Sequence, residues 1–311
     1  MTGRRLRNAL KGGLYALFRF GQRFGVDILP RHFYSSIPDI AALSRTRWWR
    51  APLDMIGVAG ADIGPQVTFA RACCPAELSQ RLRDMDLAAC SARENGAPGY
   101  SPMDADFLYC FIRTRRPGRV VQVGAGVSTA VLLKAAADAG HKLELICVDP
   151  FPTDYLKRCR DAGRIQLVAE PAQTVSRNML CDLGEGGLLF VDSTHTVKVA
   201  GEVNRIILDI MPRLARGAWV HFHDIYFPYD YHRSIFYDPF FPVESSLLHA
   251  FLIHNSRCTL RCSLAMLHYA AGGDMREILP SYRPQANHDG LSDSYDAAGH
   301  FPSSCYLEVT G

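Results

Sequence analysis

The stretch RVVQVGAGVSTAVLLKAAADAGHKLELICVD, residues 119–149, decides the fold of this chain. A short apolar run at 120–123 is followed by a glycine turn at 124–128 and then by a helix-forming segment. A second apolar run, 143–148, ends on Asp149. This order predicts a β-α-β unit with a carboxylate at the tip of its second strand.

The glycine turn and the acid predict a nucleoside-binding site. Gly124 and Gly126 let the backbone approach a ligand closely, and the N-terminus of the following helix offers free N–H groups. The carboxylate of Asp149 can accept hydrogen bonds from both ribose hydroxyls. A dinucleotide site would carry a third glycine, but Thr129 follows Ser128 at that point. A nicotinamide oxidoreductase is therefore disfavoured, and a nucleoside without pyrophosphate, such as S-adenosylmethionine, is favoured.

Composition excludes several classes of protein. The chain has 311 residues, of which 48% are hydrophobic and 21% charged, as in ordinary globular proteins. A net charge of +3 is too small to indicate a nucleic-acid partner. Ten cysteines without a C-x-x-C pair argue against a zinc ribbon and favour reduced thiols in a cytoplasmic protein.

The first 26 residues have the pattern of a basic amphipathic helix. Leucines recur at helical spacing, at positions 6, 10, 14 and 17, with arginines and a lysine around them. No run of about 18 apolar residues follows, so the segment is too short to span a bilayer. Two interpretations stay open: the leucine face packs on the rest of the protein, or residues 1–25 lie on an anionic membrane, making the protein membrane-peripheral.

The region up to residue 99 is predicted to be an N-terminal cap. Prolines predict an irregular connection after the first helix, at positions 30, 38, 52 and 65. A helix is expected over 75–93, and the sequence ENGAPG at 94–99 breaks it. We therefore divide the chain into the basic helix and cap, 1–99, and a nucleoside-binding domain, 100–311.

Strands and helices alternate beyond Asp149. Apolar runs predict strands at 165–168, 188–191 and 218–222, with a helix between the last two whose buried face includes Val199. Such runs are typical of a parallel sheet covered on both faces, which binds ligands at the carboxyl ends of its strands. Polar or glycine residues stand at five of these ends, namely Gly124, Asp149, Glu170, Asp192 and the pair His223 and Asp224.

Four motifs resemble the class I S-adenosylmethionine-dependent methyltransferases. They are VVQVGAGVST, LICVDPFP, LLFVDSTHTVKVAGEVNRIILDIMPRLARGAWVHFHDIYFPYDY and VESSLLHAF, and they are closest to a bacterial subgroup marked by V-D-S-x-H and H-F-H-D-I. The resemblance implies an α/β, Rossmann-like sheet of seven mostly parallel strands, the last of them antiparallel. It assigns the sixth strand to 259–264, the last to 305–309, and an insertion to 267–302.

The resemblance also implies the cofactor contacts. S-adenosylmethionine would be held at Gln122, Gly124, Gly126, Ser128 and Asp149. Gln122 stands where the family usually has Glu or Asp, which removes a charge near the methionine end of the cofactor. The run ESSLL stands where an E-Q-Y-L-L-like run is expected, which alters the acceptor pocket.

Two devices for activating an acceptor hydroxyl fit these residues. Asp192, His223 and Asp224 end adjacent strands and are suited to hold a divalent metal such as Mg, Mn or Fe. Alternatively, His223 or His195 acts as the general base. Asp192, His195 and His223 are thus the catalytic candidates, whereas His221 is expected to be a core histidine.

The sequence therefore predicts a methyltransferase acting on oxygen of a carbohydrate or another small polar metabolite. The aromatic segment 226–242 is expected to form either a hydrophobic plug under the cap or the wall that binds this acceptor, and the wall is favoured because the segment follows directly on the fifth strand. Two alternatives are an iron-dependent hydroxylase on the same fold and a non-catalytic binding protein. A hydroxylase would hold iron at the same strand ends, and a binding protein would not bind the nucleoside.

Overall fold

A computed structural model describes residues 2–285, 290–292, 294 and 298–311, with the backbone alone for 2–9. The chain divides into two compact units, Met1–Arg47 and Trp48–Gly311. Residues 48–99 thus belong to the larger unit, and a functional division after residue 99 stays a prediction.

The smaller unit is helical. Helix α1, Thr2–Gln22, agrees with the predicted basic helix. Helix α2, Ile40–Arg45, begins where the carboxylate of Asp39 accepts a hydrogen bond from the Ala42 N–H at 2.8 Å. An acceptor at this position satisfies a backbone donor that has no partner within the helix.

Four α-helices of the larger unit precede its first strand, and two predictions here were wrong. The helices are α3, Ile63–Cys73; α4, Ala76–Arg83; α5, Leu87–Asn95; and α6, Pro102–Arg115. Helix α3 replaces part of the expected irregular connection, because Pro65 lies in its first turn, where a proline is tolerated. The helix predicted over 75–93 is two helices. Leu82 and Leu87 are both buried, and residues five apart in one continuous helix would face different directions.

The sheet has the predicted seven strands. They are β1, Arg119–Val123; β2, Glu144–Val148; β3, Gln166–Val168; β4, Leu188–Val191; β5, Trp219–Phe222; β6, Cys258–Ser263; and β7, Cys305–Val309. Their order is β3-β2-β1-β4-β5-β7-β6. Strand β7 pairs antiparallel with β5 and β6, and the remaining pairs are parallel. The predicted fold class is confirmed.

Helices cover both faces of this sheet. They are α7, Val127–Ala139; α8, Asp154–Asp161; α9, Arg177–Cys181; α10, Glu202–Arg205; α11, Glu244–Leu252; α12, Leu264–Ala270; and α13, Gly272–Ile278. Successive residues of β1 point to opposite faces: Val120 joins the apolar cluster that contains the α6 side chains, and Val121 joins the cluster that contains Ile206 and Ile210.

One further expectation needs correction, and the predicted insertion stays a prediction. The helix after β4 begins at Glu202 and continues as a π-helical turn, Ile206–Ile210. Val199 therefore lies outside it and is 96% exposed, because the turn after β4 takes up more residues than predicted. The predicted insertion at 267–302 begins with helical structure, the end of α12 and all of α13. Its residues 286–289, 293 and 295–297 lie outside the described part of the chain.

Candidate active site

The glycine turn that follows β1 contacts the ends of two other strands, β2 and β4. Gly124 has a φ of 78°, in the left-handed region, and its N–H donates to the carbonyl of Val148 at 3.0 Å. A Cβ at this position would lie 1.7 Å from the carbonyl oxygen of Asp192. Glycine is therefore required for two reasons, backbone conformation and the approach of the chain at the end of β4.

A cavity of about 190 Å³ opens at this turn. The residues that line it are Asn95, Pro98, Gly99, Gly124, Ala125, Gly126, Val127, Ser128, Asp149 and Asp192. Four of the five predicted cofactor residues thus lie together. The carboxylate of Asp149 accepts hydrogen bonds from the N–H groups of Ala125, at 3.0 Å, and Phe151, at 2.8 Å, which fix its orientation at the edge of the cavity.

Gln122, the fifth predicted cofactor residue, is fully buried. Its side-chain amide donates to Ser128 Oγ at 2.8 Å, and its carbonyl oxygen accepts from Thr129 Oγ1 at 2.9 Å. These bonds join β1 to the first turn of α7, and they satisfy a polar group that would be costly to bury alone. Gln122 does not line the cavity as it stands, so its contact with a cofactor stays a prediction.

Two carboxylates and two imidazoles meet where β4 and β5 end. We name Asp192, His195, His223 and Asp224 the acid-histidine cluster. Nε2 of His195 lies 3.5 Å from Asp192 Oδ1 and 3.6 Å from Asp224 Oδ2. Nδ1 of His223 lies 3.4 Å from Asp192 Oδ1 and 3.6 Å from Asp224 Oδ1. The predicted catalytic and metal residues therefore come together.

The far nitrogen of each imidazole faces a second, buried carboxylate. Nδ1 of His195 lies 2.7 Å from Glu244 Oε2. Nε2 of His223 lies 3.7 Å from Asp104 Oδ2 and 3.4 Å from Ser303 Oγ. Glu244 is 1% exposed, and Asp104 is fully buried. Glu244 and Asp104 thus fix the orientation of the two rings, so that the other nitrogen of each ring faces the carboxylates of the cluster.

The carboxylates raise the pKa of both histidines in the cluster. Burial opposes the charged form of His195, but the neighbouring carboxylates of Asp192, Glu244 and Asp224 outweigh burial and raise its pKa to about 10. Burial likewise opposes protonation of His223, yet the charges of Asp224 and Asp192 raise its pKa well above the usual value. The site therefore favours bound positive charge.

The backbone is strained at two of the four cluster residues. His195 and Asp224 have φ angles of 56° and 54°, which residues other than glycine adopt at a cost. Asp224 is held by Ser303 Oγ, which donates to its Oδ1 at 2.9 Å. The loop before His195 is held by Glu202, whose Oε1 accepts from the N–H of Thr194 at 3.1 Å. Strain maintained by such bonds is typical of functional sites.

His221 is a core histidine, as expected. It is fully buried, its ring stacks on Phe190 with centroids 4.1 Å apart, and its Nε2 lies 3.1 Å from Ser304 Oγ. Burial and the neighbouring His223 lower its pKa to about 3. It is therefore neutral at ordinary pH and supports the sheet.

The sequence analysis did not identify the two buried carboxylates outside the cluster, Asp104 and Glu244, which we name the outer carboxylates. Asp104 follows the helix-capping Ser101, and Glu244 opens α11, so each has the pattern of an ordinary helix start. Their near-complete burial would have distinguished them, because buried carboxylates are rare without a partner. Across the described part of the chain, no group of three or more His, Cys, Asp and Glu side chains is arranged to hold a metal ion as it stands.

A larger cavity, of about 1030 Å³, lies at the aromatic segment. Its wall includes Pro228, Tyr229, His268, Tyr269, Tyr282 and Arg283. Aromatic rings connect it with the cluster. Burial and the charge of Asp224 raise the pKa of Tyr226, whose ring lies 6.5 Å from Phe301, and Phe301 lies 5.7 Å from Tyr269. Part of the segment predicted as an acceptor wall thus lines a cavity.

Residues 121–225 match the family model of a methyltransferase domain. This third of the chain is therefore similar to a methyltransferase domain. The matched region contains the glycine turn and all four cluster residues. An uncharacterized protein of Archaeoglobus fulgidus is 27% identical over 172 residues, which are 50% of this chain and 73% of that protein.

Two solved structures resemble the fold. Cofactor-bound Rv0187 from MTB has a TM-score of 0.46 and 14% identity, covering 76% of this chain and 97% of that chain. The SAH-bound methyltransferase PaMTH1 of Podospora anserina has a TM-score of 0.36 and 14% identity, covering 76% of this chain and 93% of that chain. Both TM-scores lie below 0.5, so the fold is assigned from the sheet order of this chain itself.

Proposed function

We propose that this protein transfers a methyl group from S-adenosylmethionine to an oxygen of a carbohydrate or another small polar metabolite. The position of Asp192 carries the proposal. This residue lines the cavity at the glycine turn and also contacts both histidines of the cluster. An acceptor hydroxyl at the cluster would therefore lie beside the cofactor cavity.

The proposed reaction needs positioning and removal of a proton. The acceptor oxygen forms a bond to the methyl carbon as the carbon–sulfur bond of the sulfonium breaks, and the hydroxyl loses its proton. Because the sulfonium is already electrophilic, the protein mainly holds the two partners together, which accounts for up to about 7–11 kcal/mol of the barrier. The proton would pass to His195 or His223 in its neutral form, or to solvent if a bound metal lowers the pKa of the hydroxyl.

We further propose that the cluster binds a divalent metal, with His195 added to the ligands predicted from the sequence. The nitrogen–oxygen distances of 3.4 to 3.6 Å are longer than ordinary hydrogen bonds. They suit ligands of one ion, since donors about 2.1 Å from a metal lie about 3.0–3.5 Å from each other. Rotation of the two Asp carboxylates would complete the arrangement. A bound Mg, Mn or Fe ion would lower the pKa of the acceptor hydroxyl.

The outer carboxylates favour a mechanism with a bound metal over one in which a histidine alone removes the proton. A histidine that binds a metal through one nitrogen usually donates a hydrogen bond from the other to a carboxylate or carbonyl. Glu244 occupies this position behind His195 at 2.7 Å. The alternative, proton removal by His195 or His223 without a metal, uses the same residues and is separated from the first by experiment.

The larger cavity is the proposed site of the acceptor. Tyr229, Tyr269 and Tyr282 supply ring faces that suit sugars, and Arg276 and Arg283 supply positive charge at its edge. The volume of about 1030 Å³ exceeds that of the cofactor cavity and accommodates a molecule with several rings. The ten free thiols, most of them buried, support a reducing cytoplasmic location for this chemistry.

The proposal is tested by calorimetric titration of the full chain with S-adenosylhomocysteine and, separately, with Mn²⁺. We expect S-adenosylhomocysteine to bind, and Mn²⁺ binding to disappear in Asp224→Asn. Glu170→Gln is the matched control, because Glu170 is an exposed carboxylate after β3 and lies outside the cluster. Methyl transfer to a panel of saccharides should then fall when a chelator is added.

Each alternative has its own result. Failure to bind S-adenosylhomocysteine would contradict a methyltransferase and favour a non-catalytic binding protein. Binding of the nucleoside with turnover that a chelator does not affect would support the histidine base instead of the metal. Oxygen uptake with iron(II), without methyl transfer, would support the hydroxylase.

A further inference from the structure

The N-terminal unit exposes an apolar surface. Leu10, Leu14 and Leu17 recur every three or four residues and share one face of α1, where they are 62%, 45% and 45% exposed. Phe20 and Phe24 near the end of the helix are 56% and 71% exposed. Residues of the same unit do not cover these side chains, so the unit alone does not form a closed apolar core.

The same unit carries the positive charge of the chain. Residues 1–47 contain nine Lys and Arg against two Asp and Glu, whereas residues 48–311 contain 25 against 29. The segment 1–26 has six basic residues and no acidic one. Arg19 lies on the side of the helix opposite Leu10, as the helical period requires. The helix therefore combines an apolar face with a cationic face.

We propose that α1 lies in the interface of an anionic lipid bilayer, with its leucine face among the acyl chains. Among the helices that the structure describes, none is long and apolar enough to cross a membrane, so α1 would lie along the surface. The phospholipid phosphates would attract the basic side chains. This proposal does not depend on the methyltransferase activity.

Charge favours a lipid surface over a second copy of the chain. Two copies joined through α1 in a symmetric dimer would bring their basic segments together. Each segment has the same excess of positive charge, which would weaken that pairing, whereas an anionic surface neutralises it. The apolar residues that continue beyond the helix, among them Phe33 at 87% exposure, extend the surface available to the membrane.

The test is sedimentation of the full chain with vesicles. One set contains phosphatidylcholine alone, and the other also contains phosphatidylglycerol. We expect binding to the second set, weaker at high salt. The double variant Leu14→Glu and Leu17→Glu should weaken it by about 100-fold or more, because two apolar side chains that would enter the membrane are replaced by charges that lipid phosphates repel. Leu208→Glu, at a 57% exposed position of the larger unit, is the control that should bind as the wild type does.

Thermal unfolding and sedimentation velocity accompany the binding assay. Loss of binding in the double variant with an unchanged unfolding midpoint and an unchanged monomer mass would support the membrane interface. A lowered midpoint would show instead that the leucine face packs on the protein, and a change from dimer to monomer would show that it pairs with a second copy. Either result, or no binding to the anionic vesicles at low salt, overturns the proposal.

Discussion

The glycine turn and the acid-histidine cluster lie beside each other but are built in different ways. The turn and its acid come from one continuous β-α-β unit of 31 residues, Arg119–Asp149, and are held largely by backbone hydrogen bonds. The cluster takes its four residues from the ends of β4 and β5 and its outer carboxylates from α6 and α11. Its geometry therefore depends on side chains that are far apart in sequence.

This difference in construction predicts that the turn serves cofactor binding and that the cluster serves the chemical step. The turn would hold a ligand by close backbone approach, which requires glycine at Gly124. The cluster depends on charge, and each of its members changes the charge felt by the others. Substitutions in one region should therefore affect cofactor affinity, and those in the other should affect turnover. Asp192, which belongs to both, is the exception.

Asp224→Asn should give the largest difference between the effect on turnover and the effect on cofactor affinity. Removing this carboxylate charge should lower turnover by about 10³-fold, because activation of a hydroxyl by a metal contributes several kcal/mol. The affinity for S-adenosylhomocysteine should change less than twofold, as Asp224 does not line the cofactor cavity. Single-turnover methyl transfer and calorimetry measure the two effects. Equal loss of both would show that the regions are one unit.

Gly124→Ala should disturb both the turn and the acid-histidine cluster, because the new Cβ would lie 1.7 Å from the Asp192 carbonyl oxygen. We expect the free energy of unfolding to fall by about 3 kcal/mol or more. Both S-adenosylhomocysteine and Mn²⁺ should bind more weakly. Gly140→Ala is the control, with a φ of 61° and no neighbour within 4 Å of the added atom. It should cost about 1 kcal/mol of backbone strain. Chemical denaturation that gives equal losses would contradict the steric argument.

Asp149→Ala should weaken S-adenosylhomocysteine binding by about 10- to 100-fold, since a hydrogen bond to a charged group contributes about 1.5–3 kcal/mol. Mn²⁺ binding at the cluster should stay unchanged, because Asp149 makes its bonds to Ala125 and Phe151 within the cofactor region. Parallel titrations with the two ligands measure this. An unchanged nucleoside affinity would remove Asp149 from the cofactor site.

The smallest effect is expected from Glu244→Gln. The amide can still accept a hydrogen bond from His195 at the same position, but the charge behind the ring is lost. Turnover and metal affinity should fall by about 10-fold, as for other residues that orient a metal ligand. Cofactor affinity and the unfolding midpoint should remain close to those of the wild type. A lowered midpoint with unchanged turnover would assign Glu244 a purely structural role.

The sequence predicted the regular parts of the molecule because their causes are local. Apolar runs of four to six residues predicted the first five strands, the family resemblance predicted the last two, and the glycine turn marked the place of a cavity. Predictions failed where the cause was tertiary. The break between α4 and α5 lets Leu82 and Leu87 both reach the core, and no local pattern shows that requirement.

For the candidate site, the sequence by itself determined which residues stand at the strand ends, since the ends of parallel strands meet at one edge of a sheet. Only the tertiary structure decided how they face each other. It placed Glu244 and Asp104 next to the far nitrogens of the two imidazoles and joined Gln122 to Ser128 of α7. Strand ends follow from the hydrophobic pattern of one chain segment, whereas the direction of a side chain follows from everything packed around it.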